Sequence, residues 1–268
     1  MPTRCLWRAR AQLAETPRAD PRSGAIAFVD LVTPRLYRFG TGLRHIEPLA
    51  GPVALLGYHG DSGLIGASAT HLLRWDTGET RPRVVATLPF DPERVRVNDG
   101  WVEADGTCWI ATMARDGQRP IGELWRVDAR GSRARCFGGV PIVNGPAISP
   151  DGRRALVADS VNRTIWCLEA DRVELWARFD DHDGVPDGMV WHPDGTVWVA
   201  HYGGGKVSQW SADGTRKRSV PVPFVYPTAL AVAALQPECL YVTSARHPRE
   251  GTARAWWRGS GALWLLTA

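Results

Sequence analysis

Four oxygen-bearing side chains in this 268-residue chain stand at one distance from a turn. Asn98, Asn144 and Asp187 each lie seven residues before the aspartate of an Asp-Gly pair, at Asp105, Asp151 and Asp194. Glu15 lies seven residues before Arg22, inside the turn-forming stretch Pro21-Arg22-Ser23-Gly24. Two carboxylates and two amide oxygens, if brought together, form the oxygen-only donor set of a hard divalent cation such as Ca2+, Mg2+ or Mn2+. Zn2+ fits that set less well, because it usually takes His or Cys and none of the four positions supplies either. One Asn or Asp at such a place reads as a loop cap. Four at the same offset read as a site.

Three segments align without gaps: NDGWVEADGTCWIAT from Asn98, NGPAISPDGRRALVAD from Asn144 and DGMVWHPDGTVWVAH from Asp187. Each holds a polar residue, a short apolar strand, an Asp-Gly turn and a second apolar strand. The repeats are 46 and 43 residues apart, the length of a four-stranded propeller blade. A third-strand pattern recurs six times: RLYRF (35–39), LLRWD (72–76), LWRVD (124–128), TIWCLE (164–169), VSQWS (207–211) and ALWLL (262–266). The prediction is an all-β chain: a six-bladed β-propeller of four-stranded blades, in one domain over 1–268. A β-sandwich would explain neither the sixfold count nor the constant offset. In a propeller the first strand of each blade lines the central channel. Seven residues of strand advance about 23 Å at roughly 3.3 Å each. Glu15, Asn98, Asn144 and Asp187 are therefore expected together at the channel mouth, with the Asp-Gly turns on the opposite face. The second strands return to the mouth, which places Thr112, Asp159, His201 and Tyr202 as walls of the pocket.

The composition narrows the partners. No apolar run approaches ~18 residues, so no membrane span is expected, and MPTRCLWRARAQLAE lacks a signal-peptide core. Five cysteines without a C-x-x-C pair point to reduced thiols in the cytoplasm. The net charge of +4 is carried almost wholly by Arg, and TRKRS (215–219), following ADG, reads as a solvated loop rather than a nucleic-acid patch. GDSG (60–63) resembles a protease nucleophile loop, but Ser62 falls in a hairpin turn of the second blade and too early in the chain. GGGK (203–206) lacks the Ser/Thr and helix of a phosphate loop and reads as a turn. Trp256 and Trp257, flanked by Arg254 and Arg258, read as a loop over the last blade.

RVNDGWVEADGTCWIATM (96–113), IVNG (142–145), VPDGMVWHPDGTVWVAHYGGGKV (185–207) and LYVTSAR (240–246) together resemble the SMP-30/gluconolactonase/LRE-like family. The resemblance implies a six-bladed propeller, one divalent metal in the channel and hydrolysis of sugar lactones. It implies Glu15, Asn144 and Asp187 as metal ligands, and Arg96 and Asn98 of R-x-N-D-G as substrate contacts. In phosphotriesterase-type members the residue matching Asn98 binds the metal, so its role is divided between metal and substrate. The family's first motif, Glu-Gly/Ser-Pro-x-Trp, appears here as ETPRA, with Thr16 for the small residue and Ala19 for the Trp. The acidic substrate residue expected past TM falls on Asp116, in a short loop.

The expected reaction is metal-dependent opening of an aldonolactone to the aldonic acid. The cation would act as Lewis acid, Asp187 would activate water, and Arg96, Asn98, Asp116, His201 and Tyr202 would contact the substrate. A phosphotriester or other ester hydrolase, and a non-catalytic metal-stabilised binding propeller, are the other readings. The filled ligand positions together with Arg96 favour catalysis. The partner expected is a small sugar lactone, with no nucleic acid and no membrane, in a monomer or weak homo-oligomer.

Overall fold

The structure, a computed structural model, describes residues 2–59, 63–79, 81–128, 132–246 and 259–267. These form six four-stranded antiparallel sheets with one short 3-10 turn at Asp181–Asp183. The innermost strands are β2 (Ala14–Ala19), β6 (Leu55–His59), β10 (Val95–Val102), β14 (Val143–Ile148), β18 (Val185–Trp191) and β22 (Pro227–Ala233). Each packs on the next, and β22 packs on β2, so the ring is closed. No helix among the described residues is long and apolar enough to cross a membrane.

Each of the six repeated third-strand segments is the third strand of its sheet. The last sheet is completed from the other end of the chain. Strand β1 (Thr3–Trp7) pairs antiparallel with β24 (Leu263–Thr267), Thr3 opposite Leu266 and Arg4 opposite Leu265. Closure of the ring leaves no inner sheet edge open to a foreign strand.

The sequence explains the two faces of each blade. Alternating Val, Ile, Leu, Ala and Trp fill the spaces between blades, as where Ala147, Leu156 and Ile165 of the fourth blade meet Met189, Val199 and Trp210 of the fifth. Near the axis only small residues fit: a Cβ on Gly188 would lie 2.5 Å from that of Ala229 in the next blade. The Asp-Gly hairpins are built alike. Asp105, Asp151 and Asp194 each accept a backbone N–H two residues on, at 2.8, 3.1 and 2.8 Å. Gly106, Gly152 and Gly195 take the positive φ (88°, 70°, 83°) that the turn requires.

One expectation about the strands fails. TRKRS is not a loop: Arg216–Pro221 is the outer strand of the fifth blade, β21, its charges mostly turned to solvent. GGGK is a turn between strands, with Lys206 at the start of β20 (Lys206–Trp210). Ser62 and the segment with Arg254, Trp256, Trp257 and Arg258 lie outside the described residues.

Candidate metal and active site at the channel mouth

The inner strands carry the candidate ligands in bulges. Regular pairing breaks between Glu15 and Arg18 in β2, between Val97 and Asp99 in β10, between Asn144 and Ala147 in β14, and between Pro186 and Met189 in β18. A bulge turns one side chain out of the ladder and re-aims it. Here it aims Glu15, Asn98, Asn144 and Asp187 from four blades toward one axis. Gly145 takes φ 49° in its bulge, and Thr16 takes φ 45° at the matching place in β2. A β-branched residue in that region is strained. Thr16 is fully buried and its hydroxyl has no partner, so the first blade keeps the bulge geometry even without the small residue of the family motif.

Glu15 and Asp187 are 8% and 6% exposed. Burial lifts the Glu15 carboxyl well above the ordinary carboxylate range, and repulsion from Asp187 and Asp99 lifts it further. Asp187 is raised by burial and then by Asp99. Among the described residues neither carboxylate has a cation within ion-pair distance.

The two amides are oriented by a hydrogen-bond chain. Asn98 Nδ2 donates to Val143 O (3.0 Å) and to Asn144 Oδ1 (2.6 Å). Asn144 Nδ2 donates to Ser160 Oγ (3.0 Å), whose hydroxyl donates to Pro186 O (2.7 Å). Carbonyl oxygens at both ends accept only, so the chain fixes which end of each amide is oxygen. It also ties Asn98, Asn144 and the residue before Asp187 into one frame. Asp99 sits beneath. It accepts Gly100 N (2.7 Å) and, from the next blade, Gly145 N (2.8 Å), with burial raising it and Arg18 lowering it. Arg18 donates to Gly100 O (2.5 Å) and stacks on Trp101 at 4.9 Å.

A divalent cation fits this donor set. Two buried like charges without a direct ion pair, flanked by amide oxygens of fixed polarity, are the surroundings a hard cation stabilises. Among the described residues no three His, Cys, Asp or Glu side chains are placed to hold a metal ion by themselves.

The remaining expected contacts divide. Arg96 is half-buried and close enough to Glu15 to lower its pKa. Tyr202 is half-buried and packs on Tyr226 at a ring separation of 4.9 Å. His201 is fully buried, against the expectation that it lines the pocket. Its Nδ1 donates to Asp183 O (2.9 Å), its Nε2 lies 2.5 Å from Ser208 Oγ, and its ring stacks on Phe179. Burial pulls its pKa down to about 4, so the ring is neutral and Nε2 accepts from Ser208. Asp116 is exposed and occupied within its own loop, accepting from Gln118 N (2.9 Å), Arg119 N (3.1 Å) and Arg119 Nε (2.5 Å). Those bonds bring it down to about 2. Thr112 is engaged with Glu123 across the sheet, and Asp159 caps the turn at Asn162. Sequence reasoning missed Ser160, Asp99 and Arg18. Asp99 and Arg18 lie inside quoted motifs and Ser160 adjoins one, but nothing in their spacing reveals a partner in another blade.

A family model described as "SMP-30/Gluconolactonase/LRE-like region" matches residues 13–246, and the chain belongs to that family. A 6-deoxy-6-sulfogluconolactonase of Pseudomonas putida is 28% identical over 97% of this chain and 92% of its own length. An L-arabinolactonase of Azospirillum brasilense is 31% identical over 88% and 82%. Among solved structures, a calcium-binding regucalcin from Agrobacterium tumefaciens superposes with a TM-score of 0.88 at 26% identity, covering 96% of this chain and 90% of that one.

Proposed function

We propose that this lactone hydrolase opens sugar lactones to aldonic acids at the channel mouth, with a divalent cation held by Glu15, Asn144 and Asp187 and with Asn98 beside it. The observation that carries this reading is the pair of buried carboxylates, neither in an ion pair among the described residues, brought together from the first and fifth blades. When bound, the cation supplies Lewis-acid polarisation of the lactone carbonyl. Asp187 orients the attacking water through its carboxylate and takes up the proton that the water loses. Asn98 has both amide hydrogens committed to the frame, so its oxygen is left to accept from a sugar hydroxyl or to face the cation. Arg96 donates to substrate oxygens from the rim, and Tyr202 presents a flat wall. Asp99, through Gly145, holds the bulge that aims Asn144. His201 and Asp116 take no part.

The names of the P. putida and A. brasilense relatives share the aldonolactone ring and differ in its substituent, which supports an aldonolactone as the substrate class. The test is pH-stat hydrolysis of an aldonolactone panel with and without added divalent ions, for wild type and Asp187→Ala. Metal-stimulated hydrolysis lost in the variant supports the reading. Identical behaviour of the two proteins on every lactone overturns it.

A further inference from the structure

Beside the carboxylate pair lies a cavity of about 490 Å³. It opens at the ends of the first three blades, where β2, β6 and β10 begin, on the face that carries Glu15 and Asn98. The second blade, which supplies no candidate ligand, forms much of it through Pro52, Ser68 and Thr70. Two guanidiniums line it, Arg96 and Arg115, and no Asp or Glu does so among the described residues.

That charge pattern contrasts with the fifth blade. In the fifth blade Lys206 and Arg216 are matched by Asp183, whereas Arg96 is half-buried and Arg115 exposed at the rim of this cavity. Arg96 and Arg115 are in no ion pair among the described residues. Arg96 uses one Nη on Val97 O (3.1 Å), and Arg115 spends its Nε on the Pro92 carbonyl. Each keeps further N–H donors. The two also feel one another: Arg96 is lowered first by burial, sustained by Glu15 and lowered again by Arg115. Two like charges side by side at an acid-free cavity create a positive potential that attracts an anion. Their planar forks match the oxygens of a carboxylate, phosphate or sulfonate.

We infer that Arg96 and Arg115 form an anion subsite, so that the preferred substrate is a lactone carrying a negatively charged group away from the ring carbonyl. This rests on the lactonase reading and specifies its substrate. The carbonyl end faces Glu15 and Asp187, and the charged tail lies over the second blade. Arg115, on the loop after β11 (Cys108–Ala114), is the specificity-determining member.

The test compares gluconolactone with its 6-phosphate and 6-carboxylate counterparts. Wild type is expected to favour the anionic lactones by at least about tenfold in kcat/KM, as charge-assisted bonds would give. Arg115→Gln should lower that anionic-to-neutral ratio about tenfold, mainly through KM, and Arg115→Lys should restore most of it. A wild-type ratio near one overturns the proposal. So does an Arg115→Gln variant that slows all lactones equally, which would mark Arg115 as merely a loop support through Pro92. Calorimetric binding of 6-phosphogluconate against gluconate reads the subsite without turnover. If no lactone is hydrolysed but the phosphorylated acid binds more tightly and Arg115→Gln abolishes the difference, the lactonase reading falls and the subsite stands.

Discussion

Two buried polar clusters lie within a few residues of each other in sequence and are wired in opposite ways. In the fifth blade, Asp183 is bound by Lys206 Nζ at 2.5 Å and by both Nη groups of Arg216, and its backbone carbonyl takes the His201 proton. His201 then meets Ser208, which also accepts from Trp210 Nε1 at 2.6 Å. Burial alone would raise Asp183, yet Arg216 and Lys206 hold it well below the ordinary carboxylate range. Four residues on, Asp187 is equally buried but faces Glu15 and Asp99, and its carboxyl is raised. A matched charge cluster serves the fold. Like charges held together against their own repulsion need a ligand to complete them.

The largest effect should come from breaking the unmatched cluster. Asp187→Asn is expected to cut kcat/KM on lactones by on the order of 10³-fold, while raising the melting temperature of the metal-free protein because a repulsion is removed. A variant as active as wild type would break the contrast on its functional side. Breaking the matched cluster should act the other way. Asp183→Ala strands Lys206 and Arg216 and is expected to cost about 3–5 kcal/mol, as for other broken buried ion pairs, read as a lowered urea midpoint.

Smaller effects sharpen the comparison. Ser160→Ala loosens the amide chain and should weaken divalent-cation affinity about tenfold, the low end for outer hydrogen-bond partners of a metal site, measured by calorimetric titration. The pH response should separate the clusters too. Glu15 and Asp187 have folded pKa values above their unfolded ones, so each destabilises the metal-free chain as pH rises above about 4, the unfolded value. In EDTA, the melting temperature of Asp187→Asn should therefore gain on that of wild type as pH rises from about 4 to 7. Asp183 is depressed, so its contribution is complete above about pH 4 and is lost only as pH falls toward its folded value. A gap between the two proteins that stays flat with pH would mean that Asp187 is not under strain.

The blade count was legible in the chain because alternating strands and Asp-Gly hairpins are local signals, and the six third strands fell where the repeat put them. The channel-mouth placement of Glu15, Asn98, Asn144 and Asp187 followed from one offset, although the bulges that aim them did not, since a bulge is visible only against a partner strand. His201 misled for a related reason. Its register does put it at the mouth end of β19 (Val197–Tyr202), but alternation turns it toward Phe179 and away from the channel. The basic run at 215–219 looked like a loop because an outer strand needs few apolar residues. Strand β1 gave no signal, its partner being at the far end of the chain.

That far partner has a consequence for the chain as it is being made. Thr228 of the last blade donates to Ala14 O at 2.5 Å, next to Glu15, and Leu13 bridges to Ala245. The surroundings of Glu15 are thus completed only when β22, the inner strand of the last blade, packs on β2. Until then its carboxylate remains in water, apart from Asp187. A chain lacking the last blade would hold five blades of correct local structure in an open ring, with nothing to keep Glu15 against Asp187.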